Sequence, residues 1–236
     1  MRTSTVIWAM LALALSIGFA ALGFWQSGRA QQKQAWLDAW AAALVAQAQA
    51  MEAALSQTPV SLPSRVTGRV PLRARPLLLL DGQQHEAQVG VRAYAVSEPL
   101  GDGRSLLVEL GWSPFGPARA LPTIEIPGGV QTLSGLLLPW PAQGLRLGEN
   151  RWDGAAQAQL LAYLDRNEIE RATGLRLYDG VLRPDPELEL GAQRDAVALP
   201  NTLPPAQHRG YAVQWWALSL TTVVAFLILF WRRRAK

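Results

Sequence analysis

There is no cysteine anywhere in the 236 residues. That absence excludes disulfides, thiolate-held metals, a covalent haem attachment motif and a cysteine nucleophile. It leaves the redox compartment open, because an oxidising space tolerates a cysteine-free chain. Histidine is nearly absent too, with His85 and His208 alone. A catalytic triad would need one of them, and neither stands in a nucleophile elbow. The methionines are Met1, Met10 and Met51, too few for a soft copper site. Zinc would have to rely mostly on carboxylates, and no glycine-rich phosphate loop is present. Together these gaps argue against an enzyme.

Acid is missing from both ends. Arg2, Arg232, Arg233, Arg234 and Lys236 lie in residues 1–5 and 232–236, where no Asp or Glu occurs. Of 22 basic residues these are five, which leaves 17 against 18 acidic ones, a net of −1 for the rest. The overall charge of +4 therefore points to positive tails kept in the cytoplasm, and not to nucleic acid.

Charge of either sign is also missing from residues 6–24 and 212–231. Each run is long enough, at ~1.5 Å per residue, to cross a hydrocarbon core of roughly 30 Å. Trp8 and Trp25 bracket the first, and Trp215, Trp216 and Trp231 bracket the second. Indole rings favour the headgroup level, so both runs read as transmembrane helices. The competing reading of the first is a cleaved signal peptide. It is disfavoured by the length of the run and by the helical pattern continuing beyond Trp25.

The expected layout is a cytoplasmic tail (1–5), a first span (6–24), a helical extension (25–58), an outer domain (59–206), a second span with its lead-in (207–231) and a basic tail (232–236). In the extension Leu37, Trp40, Leu44, Ala48, Met51 and Leu55 recur every three or four residues, an apolar stripe on one helix face. Beyond it β-prone runs alternate with Gly and Pro: RVTGRV, PLLLLDG, QVGVRAYAVSE, SLLVELGW, VQTLSGLLL and LRLYDGVL. Asp81-Gly82 and Asp102-Gly103 read as tight turns between them. Residues 155–170 read as a helix ended by Thr173-Gly174, and 184–206 as an extended return to the membrane. The fold class expected is α+β: two transmembrane helices flanking a periplasmic domain with helices and a mainly antiparallel sheet that could close like a barrel.

Candidate binding residues cluster at the span ends. Pro204-Pro205 suits a first helical turn, and on that helix His208, Tyr211 and Trp215 share a face. An imidazole there could ligate haem iron, with the rings packing the macrocycle, or could simply anchor the helix at the interface. Trp25, Arg29 and Lys33 share a face of the first helix. Their cations could pair with carboxylates such as haem propionates or snorkel to lipid phosphates. Arg65, Arg69, Arg73 and Arg75 read as a solvated sheet face, and Gly111-Trp112 as a packed turn.

LGFWQSGRAQQK (22–33), LLVELGWSPF (106–115) and HRGYAVQWWAL (208–218) resemble, in order, three motifs of the surfeit locus protein 1 family. The resemblance implies an assembly factor for a haem-copper terminal oxidase that helps insert haem a into the catalytic subunit. It implies that His208, the position of the family histidine linked to haem binding, is the metal ligand to haem iron. The arrangement expected from the residues then has Tyr211, Trp215 and Trp25 covering the ring and Arg29 or Lys33 at the propionates. The oxidase catalytic subunit, the haem a synthesis machinery and the lipid bilayer are the implied partners, with no nucleic acid. One departure stands out: the family usually has Asn-Arg before Gly-Trp, and Glu109-Leu110 stand here. The alternatives are a scaffold that docks on an oxidase subunit without haem, and an unrelated membrane-anchored periplasmic binding domain.

Overall fold

The β-prone runs pair into one sheet. The structure, a computed structural model, describes residues 3–141, 148–194 and 203–234. It divides into a helical unit, Met1–Ala39 with Leu199–Lys236, and a larger unit, Trp40–Ala198.

The helical unit is built from α1 (Thr3–Val45), as far as Ala39, and from α4 (Pro205–Arg234). Pro205 opens α4, where its missing N–H and fixed φ cost nothing, and the Gln207 N–H donates to the Pro204 carbonyl at 3.0 Å. The helices pack antiparallel. The Ser16 and Ser219 hydroxyls lie 2.8 Å apart, and the Ser219 hydroxyl is also 2.8 Å from the Ser16 carbonyl. Phe19 stacks on Trp215 with centroids 5.8 Å apart, and Phe24 meets Trp216 edge-on at 5.7 Å. In lipid the apolar side chains gain nothing from leaving solvent, so close packing and such hydroxyl bonds, worth about 1 kcal/mol each, hold the pair. Ile7, Leu13, Ile17, Leu220 and Leu229 are exposed, as lipid-facing side chains must be.

Among the described residues the larger unit holds eight strands: β1 (Gln49–Ala50), β2 (Ser64–Pro71), β3 (Leu77–His85), β4 (Gln88–Val96), β5 (Ser105–Pro114), β6 (Val130–Leu138), β7 (Ala158–Leu161) and β8 (Leu177–Pro184). Their order is β1-β2-β6-β8-β5-β4-β3-β7. The sheet is open, with β1 and β7 at its ends, and does not close as a barrel. Most pairs are antiparallel, but β1/β2, β3/β7 and β5/β8 are parallel. Alternation along the strands gives two apolar faces. Val91, Ala93, Ala95, Leu106, Val108 and Leu137 belong to one cluster, with α2 (Met51–Leu55) packed on it. Leu78, Tyr94, Val96, Leu107 and Val181 belong to the other, with Leu164 and Ile169, the latter on α3 (Arg166–Thr173).

Three expectations change. The helical extension over 25–58 is not one helix, because α1 stops at Val45 and a short strand precedes α2. Gln49–Ala50 instead pair with Val66–Thr67 at the sheet edge. Gly68 makes that approach possible, since a Cβ there would lie 2.7 Å from the Met51 Cβ. The helix expected over 155–170 gives way to β7 followed by α3. Asp165 caps α3, accepting from the Glu168 N–H at 3.0 Å, and the Asn150 side chain takes the Ala162 N–H at 2.8 Å. Asp81-Gly82 is no hairpin turn. It forms an irregularity within β3, where the register shifts between Leu80 and Gln83 and Gly82 has φ +67°. The chain reverses instead at Glu86-Ala87. Of the 184–206 return, residues 195–202 lie outside the described residues.

The Gly111-Trp112 motif is structural. Gly111 has φ +129°, and a Cβ on it would lie 2.5 Å from the Gln193 carbonyl oxygen. The Trp112 and Gln193 backbones exchange hydrogen bonds of 2.7 and 3.1 Å, and the indole N–H donates to the Gln83 carbonyl at 2.8 Å. Gly111→Ala is expected to cost at least about 1–3 kcal/mol from backbone strain alone, read as a lowered thermal midpoint. An unchanged midpoint would show that the 192–193 segment is not needed there.

Candidate functional site

His208 sits one turn into α4 and is 7% exposed. Its Nδ1 lies 2.6 Å from the Gln26 Oε1 on α1. An amide oxygen can only accept, so the ring donates from Nδ1. Nε2 has no hydrogen-bond partner among the described residues, and it is not one of the fully enclosed polar atoms that lack one. In the neutral ring this leaves the Nε2 lone pair uncommitted, which is the state a metal requires.

The other expected residues are arranged less tightly. Trp215 is half-buried against Phe19. Tyr211 and Trp25 are 42% and 57% exposed, so both rings offer open faces. Arg29 is exposed and donates to Gln32, its own helix neighbour, at 3.2 Å. Lys33 donates to the Leu203 carbonyl at 2.5 Å and so ties α1 to the lead-in of α4. Gln26 was not a sequence candidate. Its sequence signal is its place beside Trp25 in the LGFWQSGRAQQK stretch, but only the register of the helix pair brings it to His208.

A second polar cluster lies within the larger unit. Glu109 is 6% exposed. It accepts from Arg92 at 2.9 Å and from Arg183 through Nε and Nη2, the latter at 3.0 Å. Strand pairing causes this. Tyr94 lies opposite Glu109, and Val108 pairs with Leu182, so Glu109 and Arg183 fall side by side one residue on. Burial pushes the Tyr94 phenol above its ordinary range, and the Glu109 charge pushes it further. Arg183 also lies over the Trp40 ring, 5.8 Å from its centroid. Burial lowers the pKa of nearby Arg194, against the opposing pull of Glu109 and Glu187. Of the basic run, Arg65 makes a two-pronged pair with Asp185 at 2.9 and 3.1 Å, and Arg73 lies 3.8 Å from Glu98.

The Asp102-Gly103 turn is locked from outside. The Tyr178 hydroxyl donates to Asp102, and Arg104 does so at 2.6 and 2.8 Å while covering the Tyr178 ring. Burial disfavours the carboxylate, but these donors outweigh it and bring Asp102 down to about 2. Burial and then Asp102 push Tyr178 upward. The depressed acid stabilises the fold above its ordinary value of 3.8, and that contribution is lost as pH falls toward 2. The raised phenol stabilises below its ordinary value of 10.0, and that contribution fades as pH climbs beyond it. Tyr178→Phe should therefore flatten the stability profile at both extremes, measured as the thermal midpoint against pH. Equal slopes in parent and variant would refute the lock.

Two apolar helices at the ends of an α+β sheet unit define a two-span membrane protein with one folded domain between its spans. The SURF1 family profile matches residues 13–220, and the chain belongs to that family, which is known for oxidase assembly. No curated protein sequence matches it.

Proposed function

We propose that the chain is an assembly factor for a haem-copper terminal oxidase and carries haem a toward the catalytic subunit. Family membership supports the assembly role. The observation that carries the haem reading is the His208 ring, tied through Nδ1 and open at Nε2. Nε2 would supply one axial bond to the iron of the cargo. Tyr211, Trp215 and Trp25 would cover the macrocycle, and Arg29, which donates to Gln32, would turn to the propionates. Lys33 would have to give up the Leu203 carbonyl to do the same. A single axial ligand suits a carrier, which must also release. The cargo would be taken up and released through a reversible coordinate bond with no change to the haem itself, which is the work of a chaperone.

An antiparallel pair of spans leaves both chain ends on one side. The basic tails favour the cytoplasm of a cell inner membrane for that side, and residues 59–206 would then lie in the periplasm. The haem a synthesis machinery would be the donor and the oxidase catalytic subunit the acceptor. The protein purified from cells that make haem a should show the absorption of bound haem, and His208→Ala should lose it. Equal absorption in both would end the ligand assignment. A haem-free parent that still co-purifies with an oxidase subunit would favour a scaffold.

A further inference from the structure

The hydrogen bond at His208 crosses from one helix to the other. We propose that Gln26 is a positioning residue: by accepting the Nδ1 proton of His208 it keeps the Nε2 lone pair free and aimed outward as the iron ligand. This rests on the reading of His208 as axial ligand.

The chemistry is one of tautomers. A neutral imidazole carries one proton, and only the nitrogen without it can bind a metal. With no acceptor at Nδ1 the proton is free to sit on Nε2 and block the exposed nitrogen. The Gln26 oxygen, 2.6 Å from Nδ1, removes that option. It also fixes the ring plane, because the amide belongs to α1 and the ring to α4. The ligand is therefore assembled only while the helices hold their register. A metal-binding histidine generally has such an acceptor on its second nitrogen, and loss of that acceptor typically weakens metal binding by roughly ten- to hundredfold. An amide in place of a carboxylate adds no charge to the ring, which suits a ligand that must let go.

The test uses the full chain in lipid or detergent with nitrogen-15 in its histidines. His85 is the only other histidine, and His85→Asn leaves a single imidazole to observe. Without haem, the expected spectrum has a protonated Nδ1 and a bare Nε2. Gln26→Met has similar length and no acceptor, and it should move proton density onto Nε2. Gln26→Glu keeps an acceptor and should preserve the parent tautomer. A parent spectrum with the proton on Nε2, or a Gln26→Met spectrum equal to the parent's, overturns the proposal.

The second readout is titration with haem. Gln26→Met should bind roughly ten- to hundredfold more weakly, and Gln26→Glu should retain binding. Unchanged affinity in Gln26→Met, with the tautomer shifted, overturns the positioning role. If His208→Ala binds haem as the parent does, the ligand reading itself falls while the tautomer result stands, so the two failures are distinguishable.

Discussion

Glu109→Gln should destabilise the sheet-bearing unit by about 3–5 kcal/mol, the usual cost of removing one member of a buried ion pair. For a unit of this size that is a drop of roughly 6–20 °C in thermal midpoint, measurable by near-ultraviolet circular dichroism. The reason is a mismatch of charge and solvent. Arg92 and Arg183 keep only 18% and 13% of their side-chain surface exposed, and Glu109 keeps 8%. Arg92 already has an enclosed Nε without a partner. Without the carboxylate, two guanidiniums would face each other across a neutral amide with little water to hydrate them. Replacing all three together, Arg92→Met with Glu109→Leu and Arg183→Met, should recover much of the loss, because no charge is then left stranded. A single variant within 1 kcal/mol of the parent would show that the arginines find other partners.

The same cluster shows where sequence reading works and where it stops. The six strand-like runs became β2, β3, β4, β5, β6 and β8, because alternating or continuous apolar residues bounded by Gly and Pro leave few other structures. Helix ends marked by Pro205 and Gly174 were equally legible. What local pattern could not supply was competition from distant chain. Residues 46–50 have no breaker, yet a sheet edge 17 residues on claims Gln49 and Ala50. Residues 155–170 look helical in isolation, yet β3 takes Leu160 and Leu161 as an edge strand. Glu109-Leu110 read as a departure that loses the family's cation, at Leu110, and introduces an acid, at Glu109. Its meaning depends on Arg92 from β4 and Arg183 from β8, and nothing in the spacing of 92, 109 and 183 announces that they meet.

The candidate site divides along the same line. His208, Tyr211 and Trp215 were found by periodicity on one helix. Gln26 was not, because its significance lies in the pairing of two helices that brings together residues 182 positions apart in the chain. That pairing is set in part by Gly23, where a Cβ would lie 2.3 Å from the Trp216 Nε1 and 2.4 Å from its Cδ1. Gly23→Val should therefore push the indole or the helix away and slide α4 off its register. The cysteine-free chain offers a clean gauge. Ser16→Cys with Ser219→Cys replaces hydroxyls only 2.8 Å apart and should form a disulfide within one chain, as side chains that close allow. Adding Gly23→Val should slow that cross-link by at least about tenfold, a register penalty of some 1.4 kcal/mol, and should weaken haem binding with it. Trimming the obstacle, Trp216→Ala on the Gly23→Val background, should restore the cross-link. Rapid cross-linking in Gly23→Val would mean that the indole swings aside into lipid while the helices stay in place, and the close contact at Gly23 would then have no part in holding Gln26 against His208.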